Sequence, residues 1–339
     1  MSRVLVTGSS GFIGQHLVQA LVREGHDVRG LDSRDPVRPD VLAVHERCNL
    51  LDAARTRDVL GRFQPDVVLH LAARTDLDET HDLNGYAANI QGVDNLVRAI
   101  RSTPSVCRAI CTSSQLVCRI GYVPANDEDY QPSTLYGQSK VETERIWRRE
   151  DGGGVEWAIV RPTTIWGPGM NPHYLRFFEM IRRGRYFHVS GGPRRKSYGF
   201  VGNTVHEYLR LLAATPEQLH GRMFFLADYE PITIEGWAEA FGRALGAPRI
   251  RTLPLGAARI AAAAGDLLNL IGLRRFPFNS FRLGNVITQY LVNVAPTRQV
   301  CGPLPFTMEQ GVDLTATWLR AVWAGAELAE LPQGSAAIL

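Results

Sequence analysis

Apolar residues recur along the chain with two different periods. Short apolar runs at Val4-Leu5-Val6, Asp27 to Leu31, Val67 to Leu71, Arg108 to Thr112 and Trp157 to Arg161 read as strands covered on both faces. Val41 to Val44 reads as one more. Between them, apolar positions three and four apart predict helices at about Phe12 to Glu24, Ala53 to Arg62, Tyr86 to Arg101 and Ser133 to Arg149. Strands alternating with helices of this length predict parallel βαβ units in a doubly wound α/β sheet. Gly152-Gly153-Gly154, between a helix and a strand, reads as a surface turn.

Beyond Pro162 the pattern turns irregular, and a smaller second lobe is expected. Val205 to Ala214 reads as a helix returning to the first body, so the two units interleave. The expected division is 1–170 with 200–225 for the first unit and 171–199 with 226–325 for the lobe, followed by a frayed tail over 326–339. Ala257 to Leu273 carries Ile260, Ala264, Leu267, Leu268 and Ile271 on one helical face. Arg259, Asp266 and Asn269 interrupt it, so it reads as a core or interface helix, too short and polar to span a bilayer.

The first strand runs directly into Gly8-x-x-Gly11-x-x-Gly14 and then a helix. In that order each glycine has its own physical role. One allows a sharp turn, one allows close backbone approach to a pyrophosphate, and one allows tight packing of helix on sheet. The helix then aims its free N–H groups at the phosphates. A dinucleotide site on a Rossmann-type sheet follows. Asp32 ends the second strand, placed to accept both ribose hydroxyls of an adenosine and to repel a 2′-phosphate. NAD is therefore expected ahead of NADP, although Arg34 is a guanidinium suited to the phosphate.

Composition narrows the partners. The 37 basic and 34 acidic residues leave a charge of +3, too balanced to point to nucleic acid. Five cysteines form no C-x-x-C pair, and the nine histidines lack partners at ligand spacing. Reduced thiols in a cytoplasmic protein and no metal site are the expectation. Met1-Ser2-Arg3 leads straight into a strand, leaving no room for a signal peptide.

Tyr136-x-x-x-Lys140 places a phenol and an ammonium one helical turn apart. A cation beside a phenol favours phenolate and suits it to acid–base work on a hydroxyl. Thr112-Ser113-Ser114 ends the preceding strand, at the sheet edge where such folds bind ligands.

Together these residues resemble the extended short-chain dehydrogenase/reductase family, the nucleotide-sugar epimerases and dehydratases. His70-Leu71-Ala72-Ala73 is similar to its H-x-A-A motif and Asn89-x-x-Gly92-x-x-Asn95 to its central-helix motif. Arg161-Pro162 with Trp166-Gly167-Pro168-Gly169, and Phe200-Val201-Gly202-Asn203, resemble two later stretches. Counting back from Val117-Cys118 puts Ser114 on the family's catalytic Ser/Thr position. The resemblance implies that Tyr136 exchanges the proton, Ser114 binds the reacting oxygen, and Lys140 holds the nicotinamide ribose and tunes Tyr136. It implies cofactor contacts from Gly8, Gly11, Phe12, Ile13, Gly14, Asp32, Ser33, Arg34, Asn49, Leu50, Leu71, Ala72, Ala73, Asn89, Thr112 and Pro162, besides Tyr136 and Lys140. For the substrate it implies Thr75, Ser113, Gln115, Thr163, Thr164, Lys196 and Arg282 beside Ser114 and Tyr136. A homodimer through the Tyr136 helix and the helix after Asn89 is implied as well.

Departures from the family pattern refine the activity. Gln115-Leu116 stands where 4,6-dehydratases carry an acidic pair, so dehydration is not expected. Thr164 replaces the Asn, and Lys196 the Arg, that meet a substrate diphosphate; Asn49 replaces an Asp near adenine. Arg194-Arg195-Lys196 keeps cationic charge in that region. The leading expectation is an NAD-dependent epimerase of a nucleotide-activated sugar, acting at C4 through a transient ketone. The alternative is a ketoreductase or hydroxysteroid-type alcohol dehydrogenase with net turnover of cofactor. A non-catalytic NAD(H) sensor fits less well, because Tyr136 and Lys140 are both present.

Overall fold

The computed structural model describes residues 1–77, 79, 81–170, 172–192, 194–270 and 278–325. The 326–339 tail and the end of the 257–273 stretch, from Ile271 on, lie outside the described residues. The first body runs β1 (Arg3–Thr7), α1 (Phe12–Arg23), β2 (Asp27–Asp32), α2 (Pro39–Leu42), β3 (His45–Arg47), α3 (Ala53–Phe63) and β4 (Val67–His70). It continues through α4 (Ala87–Arg101), β5 (Arg108–Thr112), α5 (Leu135–Arg149), β6 (Glu156–Pro162) and β7 (Thr164–Trp166). Then come α6 (Pro172–Arg182), β8 (Phe187–Val189), β9 (Arg195–Lys196), β10 (Tyr198–Phe200), α7 (Val201–Leu212), α8 (Pro216–Leu219) and β11 (Arg222–Leu226). The chain ends with β12 (Ile232–Thr233), α9 (Ile234–Ala244), β13 (Arg251–Leu253), α10 (Leu255–Leu270), α11 (Ser280–Ile287), α12 (Ala295–Cys301) and α13 (Met308–Trp323).

Seven strands form one all-parallel sheet in the order β11-β6-β5-β4-β1-β2-β3. The chain leaves β1 toward β2 and β3, then crosses back to β4 on the other side of β1. That reversal opens a crevice at the carboxyl ends of β1 and β4, the place where such sheets take ligands. One apolar layer packs α1 and α7 on the sheet through Leu17, Leu21, Val205 and Leu211. The other packs α3, α4 and α5 through Leu60, Leu96, Val97 and Trp147. A separate aromatic core, with Trp166, Phe178, Trp237 and Phe241, joins α6, α9 and α13.

Two expectations are corrected, and the core part of a third. Val41 to Val44 is not a strand: Pro39 sits at the start of α2, where its missing N–H costs nothing, and the strand begins only at His45, opposite Gly30. The Gly152–Gly154 turn is not simply superficial, because Gly152 and Gly153 are buried against Trp157 and Ile100 at φ of +56° and +89°. In α10 the packed face is Ala258, Ala262 and Gly265, whereas Ile260 and Leu267 are 75% and 60% exposed. Small residues let α10 lie close to its neighbours, and its larger apolar side chains face water.

Candidate active site

The glycine turn after β1 is shaped by contacts that no side chain would tolerate. A Cβ on Gly8, at φ +74°, would meet the Ala72 nitrogen at 2.5 Å, and one on Gly14 would meet the Gly8 carbonyl oxygen at 2.1 Å. The turn therefore presses on Leu71-Ala72-Ala73, and Phe12 and Ile13 open α1 directly behind it. Asp32 accepts hydrogen bonds from the Ser10 N–H at 3.1 Å and the Arg34 N–H at 3.0 Å, one to each carboxylate oxygen. Its carboxylate is thus fixed at the crevice with acceptor capacity left for a diol. Ser33 and Arg34 are exposed beside it. These residues fit an adenine dinucleotide: glycines where backbone must approach phosphate, a helix N-terminus, and a fixed carboxylate at the ribose position.

Helix α5 starts at Thr134, whose hydroxyl accepts the Gly137 N–H at 3.0 Å. Gly137 also explains how Tyr136 is brought in. A Cβ there would meet the Leu116 carbonyl oxygen at 2.3 Å, so the first turn of α5 lies directly against the turn that follows Ser114. Ser114 accepts the Leu116 N–H on Oγ at 3.1 Å, which leaves its own proton for another acceptor. Tyr136 and Ser114 are each 8% exposed. Lys140 is buried and donates to the Thr112 carbonyl at 2.7 Å. Burial holds the Lys140 ammonium below the ordinary lysine range, while Cys111 and Glu144 oppose the shift. His70 is pushed down to about 3 by burial and then by Lys140, so it is neutral beneath the site, with Nδ1 2.8 Å from the Thr7 hydroxyl.

Several expected contacts take other roles. Asn89 is fully buried; it accepts the Arg74 N–H at 2.8 Å and donates to the Arg74 carbonyl and to Ser139 Oγ. It braces the loop after β4 against α5. Thr163 spends its hydroxyl on the Leu226 carbonyl at 3.1 Å. Asn49 accepts the Leu51 N–H at 3.1 Å, fixing the turn into α3 above the buried Leu50. Lys196 is 4% exposed and donates to the carbonyls of Asn285, at 2.6 Å, and Thr288. Desolvation pushes it down to about 8. The basic run suggests a cation open to a ligand; the fold has already used it.

Gln115, Thr164 and Ser113 do gather near Ser114. Gln115 Nε2 lies 3.4 Å from Thr164 Oγ1, while Gln115 Oε1 and Ser113 Oγ are shut from water without a hydrogen-bond partner among the described residues. Thr112 hydrogen-bonds the Tyr208 hydroxyl at 2.7 Å, and Pro162 closes β6. Thr75 and Arg282 are exposed, the latter on α11. Sequence reasoning missed Tyr290, which reaches the Gln115 carbonyl with its hydroxyl at 3.4 Å. No periodicity announces a contact across 175 residues.

The sequence model of the NAD dependent epimerase/dehydratase family matches residues 4–227. The chain belongs to that family. The family is NAD dependent, in keeping with the glycine turn and Asp32. The chain is 31% identical over 277 residues to a 3-beta-hydroxysteroid dehydrogenase of Mycolicibacterium neoaurum, covering 74% of this chain and 73% of the relative. It is 26% identical over 326 residues to a 2-alkyl-3-oxoalkanoate reductase of Stenotrophomonas maltophilia, covering 91% and 97%. In three dimensions it resembles the Bordetella bronchiseptica enzyme WbmH in complex with NAD+, with a TM-score of 0.71 at 20% identity over 94% of this chain and 98% of that one. At that identity the likeness speaks for the fold.

Proposed function

We propose that the protein is an NAD-dependent oxidoreductase that interconverts a secondary alcohol and a ketone on a largely apolar substrate that carries no diphosphate. Lys196 carries this reading. At the position where the family sets a cation toward a substrate diphosphate, its ammonium is buried and donates to two backbone carbonyls. Thr164 in place of Asn removes a second diphosphate contact. The relatives named a steroid dehydrogenase and an oxoalkanoate reductase support the same choice over the epimerase.

NAD, when bound, supplies the hydride acceptor. Tyr136 would take the hydroxyl proton as the ketone forms and return it in the reverse direction, with Ser114 donating a hydrogen bond to the reacting oxygen. Lys140, buried beneath them, adds the positive charge that favours phenolate. Gln115 in place of an acid gives the site no base for water elimination. Residues 1–170 with 200–225 would hold the cofactor, and 171–199 with 226–325 the substrate. We propose pairing of two copies through α4 and α5. No helix among the described residues is long and apolar enough to cross a membrane.

An epimerase of nucleotide sugars is the second reading, favoured by Asp32, since an enzyme that recycles its hydride needs no phosphorylated cofactor pool. The two part on redox balance. Purified protein is given NAD+ with dehydroepiandrosterone, NADH with a 2-alkyl-3-oxoalkanoate, and UDP-glucose with NAD+. Stoichiometric change in nicotinamide absorbance with either of the first two supports the oxidoreductase. Inversion of the sugar without net cofactor change overturns it.

A further inference from the structure

The carbonyls of Asn285 and Thr288 that receive the Lys196 ammonium belong to the end of α11, where helix carbonyls lack internal partners and the dipole is negative. The backbone beyond α11 is sewn to the same strand. The Ser197 N–H donates to the Tyr290 carbonyl at 3.0 Å, the Tyr290 N–H to the Arg195 carbonyl at 3.1 Å, and the Val292 N–H to Ser197 Oγ at 3.1 Å. Tyr290, 7% exposed, then donates its hydroxyl to the Gln115 carbonyl, one residue from Ser114. An unbroken path therefore runs from Lys196 through the end of α11 and Tyr290 to the residue beside Ser114.

We infer that Lys196 is a positioning residue: by capping α11 it holds Tyr290 against Gln115 and so builds the wall that shapes the substrate pocket to a largely apolar molecule without a diphosphate. The substrate class rests on the reading proposed above; the latch itself does not. A buried ammonium is costly unless its donors are taken, and α11 carbonyls are costly unless they are capped. Among the described residues no carboxylate forms an ion pair with Lys196, and Arg194 is the cation that acts on it. The two requirements satisfy each other, which fastens the end of α11 to this side chain, while Leu283 packs the helix on Ala258 and Ala262 of α10.

Amide hydrogen exchange on the full chain tests the latch without any substrate. Lys196→Met should speed exchange across both 280–292 and 115–122 by at least about tenfold, since one buried charged hydrogen bond is worth that much and Lys196 makes two. Lys196→Arg, which keeps several donors, should restore much of the protection. Unchanged exchange in either segment of Lys196→Met would overturn the inference. Should that variant not fold, Tyr290→Phe decides: faster exchange confined to 115–122 supports the path, and none refutes it. With dehydroepiandrosterone and NAD+, Lys196→Met should raise KM about tenfold with little change in kcat, as lost uniform binding does; an unchanged KM would remove the positioning role. If the wild type leaves dehydroepiandrosterone, 2-alkyl-3-oxoalkanoates and other largely apolar alcohols and ketones untouched, the proposed function falls while the exchange result still decides the latch.

Discussion

Arg161, in β6, grips Glu144, in α5, with two hydrogen bonds of 2.8 and 2.7 Å, and the side chains are 1% and 0% exposed. Glu144 lies one helical turn beyond Lys140, and Arg161 also donates to the Asp127 carbonyl. The Tyr130 hydroxyl completes the set at 2.9 Å. One guanidinium thus fastens the helix that carries Tyr136 to the sheet and to the loop before it. Arg161→Met should destabilise the protein by about 3–5 kcal/mol, because it strands a buried carboxylate. The double change Arg161→Met with Glu144→Met should recover much of that loss, read by chemical denaturation.

Tyr136 is assigned the proton. Tyr136→Phe keeps the ring and its packing near Tyr86, whose centroid is 6.1 Å away. We expect kcat to fall by about 10²- to 10⁴-fold. NADH affinity, measured by fluorescence titration, should fall by no more than about tenfold, the loss of one hydrogen bond.

Asp32 is the residue we propose to select the cofactor. Asp32→Asn keeps an acceptor for the ribose but removes the charge that repels a 2′-phosphate, with Arg34 already exposed beside it. NAD+ should bind about tenfold more weakly, as expected when one charge-assisted hydrogen bond weakens, and NADP+ more tightly. Equilibrium titration of both cofactors checks the shift.

Glu207 is fully buried in α7, and burial, reinforced by the nearby Asp228 charge, pushes its carboxyl well above the ordinary range. Asp228 is itself pushed up to about 6 by burial. A carboxyl with a raised folded pKa leaves full stability below its unfolded value, and that stability is lost as pH climbs toward the folded one. These two carboxyls should therefore pull Tm down as pH rises from about 4.5 through about 6 and beyond, while buried His16 and His70, held neutral, act in the opposite sense up to about 6.5. Glu207→Gln should flatten that slope and melt higher at the alkaline end; an unaltered slope would show that Glu207 is not responsible.

The doubly wound sheet was legible because its strands are short apolar runs punctuated by glycine and its helices carry a clear period. The candidate site was legible for a similar reason: Tyr136 and Lys140 are one turn apart, and Ser114 stands at a strand end. What escaped depends on contacts distant in sequence. Lys196 looks like a solvated cation within Arg194-Arg195-Lys196 until α11 arrives from 89 residues away to claim its proton donors. The apolar stripe of α10 predicted burial, yet Ala258 and Ala262 make the contact, since close packing rewards small side chains over large ones. Near Val41 the local chemistry is deceptive, with Pro39 beginning a helical turn inside an otherwise strand-like run.

Strand β11 forms one edge of the seven-stranded sheet, pairing with β6 from Arg222↔Ala158 to Leu226↔Pro162. On the ribosome, this means the nucleotide-binding half is unfinished when its glycine turn, its carboxylate and its tyrosine have all emerged. Until Leu226 clears the exit tunnel, β6 presents an unpaired edge, the kind of surface that recruits other strands. A chain truncated shortly before β11 would contain every residue assigned to the chemistry and still behave as an aggregating fragment.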